Sequence, residues 1–253
     1  MPDVGAPPIF SRQNPRYRRL LSLHHTKGIN RTGTALVAGA RLTAELAARA
    51  PARCLAQVLD DTGGPTLAGI PCVRLSRALF RELDIWGTGP PLLEVDVPDM
   101  PVWDCAAWPP GCTLVVPLQD PRNVGAALRS AAAFGVSTVV FTAEAAHPYH
   151  PEAVRPAAGT QDMLALRRGP ALGRAEWLPR PLLVLDKGGI PLPEVEWPPR
   201  FGLLVGQEGP GVPGGLHDVM RVTIPIAGPV ESLNATAALT VALYCWNMAD
   251  GEL

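Results

Sequence analysis

The chain has 253 residues, of which 47% are hydrophobic and 18% are charged, so it carries enough apolar material for two domains and is unlike a disordered protein. Its five cysteines lack CxxC spacing, and no apolar run approaches the roughly 20 residues of a membrane span, which argues against a zinc site, a disulfide framework and a transmembrane helix. The first residues, MPDVGAPPIF, show no signal-peptide pattern, which favours a cytoplasmic protein.

The net charge of −1 conceals an uneven distribution. Residues 1–53 contain nine Lys or Arg against two acids, Asp3 and Glu45. Such a basic segment suits contact with phosphates, although a cationic face is more often simply solvated. The candidate residues for this contact are Arg12, Arg16, Arg18, Arg19, Lys27 and Arg31.

The first half of the chain alternates between helical and extended patterns. A short helix with one apolar and one cationic face is predicted within residues 11–25. It is followed by a strand at 35–39, a helix at 41–50, strands at 54–61 and 71–76, a short helix at 76–86 and a strand at 92–97. We expect residues 11–98 to form a small α/β domain behind a flexible N-terminus of residues 1–10.

Residues 99–112 are rich in Pro and aromatic residues and show little periodicity, which predicts a linker. Residues 113–253 then carry the pattern of a second domain. Strands are predicted at 113–118, 137–142, 182–186, 202–206 and 221–226, with helices between them and an apolar helix at 234–249. This alternation predicts an α/β fold with a mostly parallel sheet.

Polar residues and glycines follow three of these strands, and we call these segments the strand exits. The first exit is LQDPRNVGAALRSAAAFGV (118–136), with Asn123 and Arg129. Open α/β sheets bind ligands at the carboxyl ends of their strands, so a binding site is one interpretation. The other is a helix capped by Asp120 or Asn123, with Arg129 merely solvated.

The second strand exit is VGQEGPGVPGGL (205–216), and the third is VTIPIAGPVESLNATAAL (222–239). The glycines of the second allow a ligand to approach the backbone closely, but Glu208 and the lack of a P-loop Lys disfavour a phosphate. In the third, helix capping accounts for only one of Ser232 and Asn234. We expect the three exits to converge at one edge of the sheet.

These segments resemble the three motifs of the SpoU branch of the SPOUT RNA methyltransferases. The resemblance rests on DPRNVGAALRSAAAFGV, LLVGQEGPGV and VTIPIAGPVESLNATAALTVALY, which occur in the family's order and cover most of residues 113–246. The first half, with FSRQNPRYRRLLSL and ALVAGARLTAEL, is more loosely similar to the family's substrate-binding domain, which looks like an RNA-binding ribosomal-protein fold.

The resemblance implies a SPOUT fold with a deep trefoil knot, S-adenosylmethionine as cofactor and no metal ion. By position, it assigns cofactor binding to Gly206, Ile224 and Leu233, and more weakly to Thr142. Core packing is the alternative interpretation for Ile224 and Leu233. The two interpretations are compatible if the backbone contacts the cofactor while the side chain packs in the core.

The resemblance also implies methyl transfer to a ribose 2′-hydroxyl of ribosomal or transfer RNA, with ribosomal RNA slightly preferred. Arg129 matches the family's catalytic Arg. A guanidinium stays protonated, so we favour a role for it in gripping the phosphate beside the target ribose and stabilising the developing alkoxide. The other polar motif positions are Asn123, Glu208, Ser232 and Asn234.

Two partners follow from the same resemblance, and two other functions are weighed against it. The partners are RNA, met by the basic residues between 12 and 31, and a second copy of the chain, met through the knotted domain. A non-catalytic RNA-binding or assembly protein would keep the scaffold without turnover, but the intact polar motif positions argue against it. An enzyme of phosphorylated metabolites is disfavoured by the acidic glycine loop.

Overall fold

The computed structural model describes residues 7–206 and 216–250, except for the side chains of 174–176 and 250. The α-helices in this part of the chain are α1 (Pro15–Ser22), α2 (Thr26–Thr32), α3 (Ala40–Arg49), α4 (Arg77–Leu83), α5 (Pro121–Ala133), α6 (Pro151–Ala157) and α7 (Ala235–Asp250). The strands are β1 (Thr34–Val37), β2 (Cys54–Asp60), β3 (Cys72–Leu75), β4 (Leu92–Asp96), β5 (Gly111–Val116), β6 (Thr138–Phe141), β7 (Ala165–Arg168), β8 (Leu182–Pro191), β9 (Arg200–Leu204) and β10 (Met220–Thr223). Over these residues, no helix combines the length and apolarity that crossing a membrane requires.

The described residues form two compact units. The first unit contains the described residues up to Asp99 together with Tyr149–Gly159, and the second contains Met100–Pro148 and the described residues from Thr160 onward. The sequence-based division places Tyr149–Gly159 in the domain at 113–253, and the structure differs from it there.

The sheet of the first unit has the strand order β1-β4-β2-β3. Strand β4 pairs antiparallel with β1 and β2, whereas β3 runs parallel to β2. Helices α1 and α4 pack on this sheet through a buried core that includes Tyr17, Leu20, Val58, Phe80 and Leu92. The first unit therefore has its own hydrophobic core.

The first unit begins before α1. The backbone N–H of Ile9 donates to the carbonyl oxygen of Arg74 at 2.9 Å, and the N–H of Ser76 donates to that of Ile9 at 2.8 Å. Ile9 thereby extends the sheet beside β3. The structure differs here from the flexible N-terminus predicted for 1–10, of which residues 1–6 lie outside the described residues.

Helix α6 belongs to the first unit although it comes from the second half of the chain. The carbonyl oxygen of Pro151 accepts a hydrogen bond from Trp86 Nε1 at 3.1 Å, and α6 packs against β1. The ring of Tyr149, which is 4% exposed, lies 6.0 Å from the Arg53 guanidinium carbon. Contacts of this kind join residues 65 or more positions apart, which local sequence patterns do not report.

The sheet of the second unit is parallel throughout, in the order β10-β8-β9-β5-β6-β7. The predicted α/β fold with a mostly parallel sheet is confirmed. Strand β7 (Ala165–Arg168) was absent from the prediction because its alternation of exposed and buried residues is short and rich in Arg. Parallel strands place their carboxyl ends at the same edge of the sheet, where ligands bind in open α/β folds.

Helix α5 begins where the capping interpretation with Asp120 places it. Its first residue is Pro121, whose fixed φ and missing N–H suit that position, and it is capped by Asp120. The Asp120 carboxylate accepts a hydrogen bond from the N–H of Arg122 at 2.8 Å. Asn123 and Arg129 therefore both lie within the helix.

The segment predicted as a linker contributes to the core of the second unit. Trp108 is 1% exposed and Trp103 is 7% exposed, with their ring centroids 5.4 Å apart. They pack in a core with Val115, Val140 and Leu204. The structure thus differs from the linker prediction at 99–112, because the large apolar area of the two indole rings is buried.

Candidate active site

A cavity of about 670 Å³ lies in the second unit, beyond the carboxyl ends of β9 and β10 and beside the N-termini of α5 and α7. This volume is typical of a small-molecule site. Its lining consists of Asn123 from α5, residues 185–188 from β8, residues 205–206 after β9, and parts of the segment 222–238 from β10 into α7. The described parts of the three strand exits therefore meet at one cavity.

One wall of the cavity is formed where β8 leaves its register with β10. Strand β10 pairs with Leu183 and Val184 and then with Ile190 and Pro191, so residues 185–189 are skipped. The backbone returns so closely that a Cβ on Gly189 would stand 2.4 Å from the carbonyl carbon and oxygen of Arg221. Only a glycine fits at that point of the wall.

An ion pair fastens this wall to β10. The Asp186 carboxylate pairs with the Arg221 guanidinium and accepts a hydrogen bond from the backbone N–H of Lys187 at 2.8 Å. The side chain of Lys187 is exposed at the cavity, and so is that of Glu231. The described lining therefore presents charges of both signs.

The N-termini of α5 and α7 meet at the cavity through a network of amides. Oδ1 of Asn234 accepts hydrogen bonds from the backbone N–H groups of Thr236 at 2.9 Å and Ala237 at 3.2 Å, which caps α7. Nδ2 of Asn234 donates to Oδ1 of Asn123 at 3.3 Å, and Oγ1 of Thr236 donates to the same oxygen at 3.0 Å. The partial positive charge of two helix N-termini is thus concentrated beside the cavity.

The cap of α5 adds a fixed negative charge near this point. Hydrogen bonds from the Arg122 guanidinium, at 3.1 and 3.2 Å, hold the pKa of Asp120 below its ordinary value. Asp120 is therefore ionised at neutral pH, which strengthens its cap on α5. Across residues 7–206 and 216–250, no group of three or more His, Cys, Asp or Glu side chains is arranged to hold a metal ion.

Six of the predicted site residues line the cavity, namely Asn123, Gly206, Ile224, Ser232, Leu233 and Asn234. The helix-capping interpretation also applies, because Asp120 caps α5 and Asn234 caps α7. A capping role does not compete with a role at the cavity, since the two caps are what bring the helix ends to it.

Three predicted residues do not line the cavity in the part of the chain that the structure describes. Arg129 lies about two turns into α5, is exposed, and has no polar partner among the described residues. Thr142 follows β6, two strands from β9, and is 3% exposed. Glu208 lies outside the described residues.

Residues 112–244 match the model of the SpoU rRNA Methylase family. The chain belongs to this family. The matched range contains most of β5, all of β6 to β10 and most of α7, and thus every described residue that lines the cavity. The family membership predicted from the three strand exits is confirmed.

The chain is also similar to two ribosomal RNA methyltransferases and to a solved SpoU methyltransferase structure. The chain is 39% identical over 251 residues to "Ribosomal RNA small subunit methyltransferase G 2" of Syntrophobacter fumaroxidans, covering 96% of this chain but only 50% of that relative. It is 28% identical to "23S rRNA (guanosine(2553)-2′-O)-methyltransferase RlmP" of Bacillus subtilis, covering 93% of this chain and 97% of the relative. The SpoU methyltransferase AviRb of Streptomyces viridochromogenes, solved with AdoMet, is 25% identical with a TM-score of 0.78, covering 95% of this chain and 99% of AviRb.

Most of the basic residues predicted to meet RNA have a polar partner within the first unit. Arg16 and Arg19 both hydrogen-bond to the carboxylate of Glu94, which is fully buried on β4. Arg12 pairs with Glu82 at 3.0 Å. These three arginines therefore carry less net charge to the surface than the sequence suggests.

The remaining basic residues are more exposed. Arg31 donates to Ser22 Oγ at 3.2 Å, a neutral partner that leaves its charge in place. Arg18 and Lys27 are exposed, and the side chain of neither makes a hydrogen bond or ion pair with another described residue. The uncompensated charge of this segment thus lies on Arg18, Lys27 and Arg31.

One residue bonded to the cavity lining, and one part of the lining itself, escaped the sequence-based prediction. Thr236, which is 6% exposed and bonds to Asn123, lies two positions after Asn234 and reads as an ordinary helix residue. Residues 185–188 of the lining lie at the end of the predicted strand 182–186, where a polar Asp-Lys-Gly-Gly run (186–189) forms a fourth strand exit of the same kind. The rule applied to the other three exits would have found it.

Proposed function

We propose that this SpoU family protein transfers a methyl group from S-adenosylmethionine to a ribose 2′-hydroxyl of RNA, ribosomal RNA being the preferred substrate. The observation that carries the proposal is the meeting of the described parts of three family motifs at one cavity. Support for the position of the methyl group comes from the name of the B. subtilis relative, which aligns over 97% of its length. The chain spans only half of the S. fumaroxidans relative, so the activity of that whole protein is weaker support for the proposal.

The cofactor is S-adenosylmethionine, which supplies a methyl group on a positively charged sulfur. The cavity fits it, since Gly206, Ile224 and Leu233 line it together with apolar residues such as Val205 and Val222. Apolar walls suit the adenine ring, and backbone groups suit its nitrogen atoms and the ribose. The proposal includes the deep trefoil knot of the SPOUT fold and leaves Thr142 out of the cofactor site.

Transfer of a methyl group from a sulfonium to a developing alkoxide removes two opposite charges. A pocket of low dielectric favours that neutralisation, and a fixed orientation of the two reactants supplies much of the remaining acceleration. The chain's part is to hold the cofactor, to exclude water and to place hydrogen-bond donors near the ribose oxygen. Asn123, Ser232 and Asn234 carry donors for this role, whereas the carboxylate of Glu208, the fourth polar motif position, only accepts hydrogen bonds.

Arg129 acts, in this proposal, on the cavity of a partner subunit. It is exposed on α5 and does not line the cavity of its own chain. Helix α7 exposes Val241, Tyr244 and Met248 on one face, at 39%, 50% and 52%, which is an apolar surface suited to a homodimer. There Arg129 grips the phosphate beside the target ribose and stabilises the developing alkoxide.

RNA also meets the first unit, through the exposed cations Arg18, Lys27 and Arg31. We expect Arg18→Ala with Lys27→Ala to weaken binding of ribosomal RNA and to lower the slope of log affinity against log salt by about 0.7 per lost phosphate contact. Arg41→Ala is the matched control, because Arg41 is exposed but paired with Glu45 at 2.6 Å. Filter binding between 50 and 200 mM salt measures both, and an equal effect of the two changes would contradict this assignment.

The proposed function is tested by calorimetry with S-adenosylmethionine and by mapping ribose methylation in ribosomal RNA from cells with and without the gene. We expect binding and one gene-dependent 2′-O-methyl group, formed in the cytoplasm where that RNA is made. Absence of cofactor binding would overturn the proposal. Binding without transfer to ribosomal or transfer RNA would favour a non-catalytic RNA-binding protein, and a methyl group on a base would refute ribose specificity.

A further inference from the structure

We infer that Thr236 is a positioning residue for the reaction proposed above: its hydroxyl fixes the amide of Asn123 so that Asn123 meets bound molecules only as a hydrogen-bond donor. This rests on the proposed function for its chemistry, and on the amide network at the N-termini of α5 and α7 for its geometry. None of the three strand-exit motifs singled out Thr236 as a functional position.

The orientation is set by the backbone of α7. Oδ1 of Asn234 accepts hydrogen bonds from two backbone N–H groups, those of Thr236 and Ala237, at 2.9 and 3.2 Å. Backbone N–H groups only donate, so the oxygen of this amide must face the helix and its Nδ2 must face away. Nδ2 of Asn234 then lies 3.3 Å from the Asn123 side chain and donates to it.

The orientation of the Asn234 amide determines that of the Asn123 amide. A flipped Asn123 would set its own NH₂ group against that of Asn234, donor against donor, so the atom facing Asn234 is Oδ1. Thr236 Oγ1 donates to this same oxygen at 3.0 Å, and Thr236 is 6% exposed, so water competes poorly for the bond. Two donors therefore hold one oxygen.

The two hydrogen bonds occupy both lone pairs of Asn123 Oδ1. This oxygen is thus unable to take the proton that leaves the ribose hydroxyl, and the proton goes to water or to another group. Any contact of Asn123 with a bound molecule uses its N–H groups, which stabilise an oxygen that gains negative charge. Loss of the Thr236 hydroxyl removes one of the two donors that hold this oxygen and weakens that fixed direction.

The test compares Thr236→Val, which keeps the shape and removes the hydroxyl, with Thr236→Ser, which restores the hydroxyl. We expect Thr236→Val to lower kcat about 10- to 100-fold, the cost of one misplaced donor, while KM for ribosomal RNA and the calorimetric affinity for S-adenosylmethionine stay unchanged. Thr236→Ser is expected to recover most of the loss. Methyl transfer to ribosomal RNA from cells lacking the gene is the assay.

The matched control is Thr240→Val, one turn later on α7. Thr240 Oγ1 lies 2.7 Å from Ser130 Oγ, so this change also removes a hydrogen bond between α5 and α7, but away from the cavity lining. We expect it to lower Tm without the loss in kcat. Equal loss of kcat in Thr240→Val and Thr236→Val, or failure of Thr236→Ser to recover activity, would overturn the inference.

Failure of the proposed function is distinguishable from failure of this inference. If the unaltered chain methylates no RNA, the proposed reaction is wrong, whatever the variants do. The orientation is then read from the Asn123 side-chain amide resonances, which we expect to move in Thr236→Val and to stay in place in Thr236→Ser. Unchanged resonances in Thr236→Val would overturn the positioning role on their own.

Discussion

The Arg129→Ala protein is expected to bind S-adenosylmethionine with unchanged affinity and to lose methyl transfer by a factor of at least about 100, the usual effect of removing a donor to a developing oxyanion. Arg129 is exposed and does not line the cavity of its own chain, so its removal leaves the cofactor's surroundings intact. Calorimetry measures the affinity, and transfer of a radioactive methyl group to ribosomal RNA measures the rate. Loss of both together would contradict the role assigned to Arg129.

The control for this change is Arg122→Ala. Arg122 lies on the same helix and is also exposed, but its guanidinium is bound to Asp120 at 3.1 Å. We expect its removal to leave both affinity and rate within about three-fold of the unaltered chain, as for most surface changes. An equal loss in Arg122→Ala would point to a general weakening of α5 instead of a specific role for Arg129.

A mixing experiment decides which subunit Arg129 serves. Subunits with Arg129→Ala keep a sound cavity, whereas subunits with an altered cavity keep Arg129. In a symmetric homodimer, a mixture of the two restores about a quarter of the activity if Arg129 acts across the interface. If it acts within its own chain, every mixed dimer has two defective sites and nothing is restored.

The sequence predicts the sheet of the second unit well because buried parallel strands are short apolar runs, and β5, β6 and β9 are of this kind. It also predicts where ligand-binding residues collect, since polar residues and glycines after such strands fall at one edge. Asn123 and Asn234 were found by that rule, whereas Gly206 and Ile224 were assigned from the family resemblance. Arg129 was placed near the same edge, but it lies about two turns into α5, which begins at Pro121.

The parts that the sequence does not predict depend on contacts between distant residues. Glu94 neutralises part of the charge of Arg16 and Arg19 from 78 and 75 positions away, so the net charge of segment 12–31 overstates its exposed charge. Trp108 lies in a Pro-rich segment that has no periodicity, yet its ring fills the space above Gly202. Local secondary-structure propensity and hydrophobic periodicity do not indicate such contacts.

The cavity wall formed by residues 185–189 is a second kind of feature that the sequence does not predict. Residues 185–189 lie inside β8, whose two ends pair normally with β10. They therefore interrupt the register without a change in the apolar pattern on either side. Only the close approach of two backbones defines it. This makes a single glycine decisive for the shape of the cavity.

Gly189→Ala is expected to destabilise the second unit by about 1–3 kcal/mol, as overpacking does, and to lower the affinity for S-adenosylmethionine at least about 10-fold. The new Cβ would stand 2.4 Å from the carbonyl carbon and oxygen of Arg221 and 2.6 Å from the nitrogen of Val222. These are backbone atoms and do not rotate away, so β8 and β10 must separate. The cavity wall beside them then moves.

Urea unfolding and calorimetry with S-adenosylmethionine measure the two effects of Gly189→Ala. The matched control is Gly173→Ala, where a Cβ meets nothing within 4 Å among the described atoms, and we expect no loss of affinity there. A Gly189→Ala protein with normal stability and normal affinity would mean that the backbones of β8 and β10 do not meet at Gly189. The cavity would then need a different wall, because residues 185–188 line it only while the chain returns to β10 at that point.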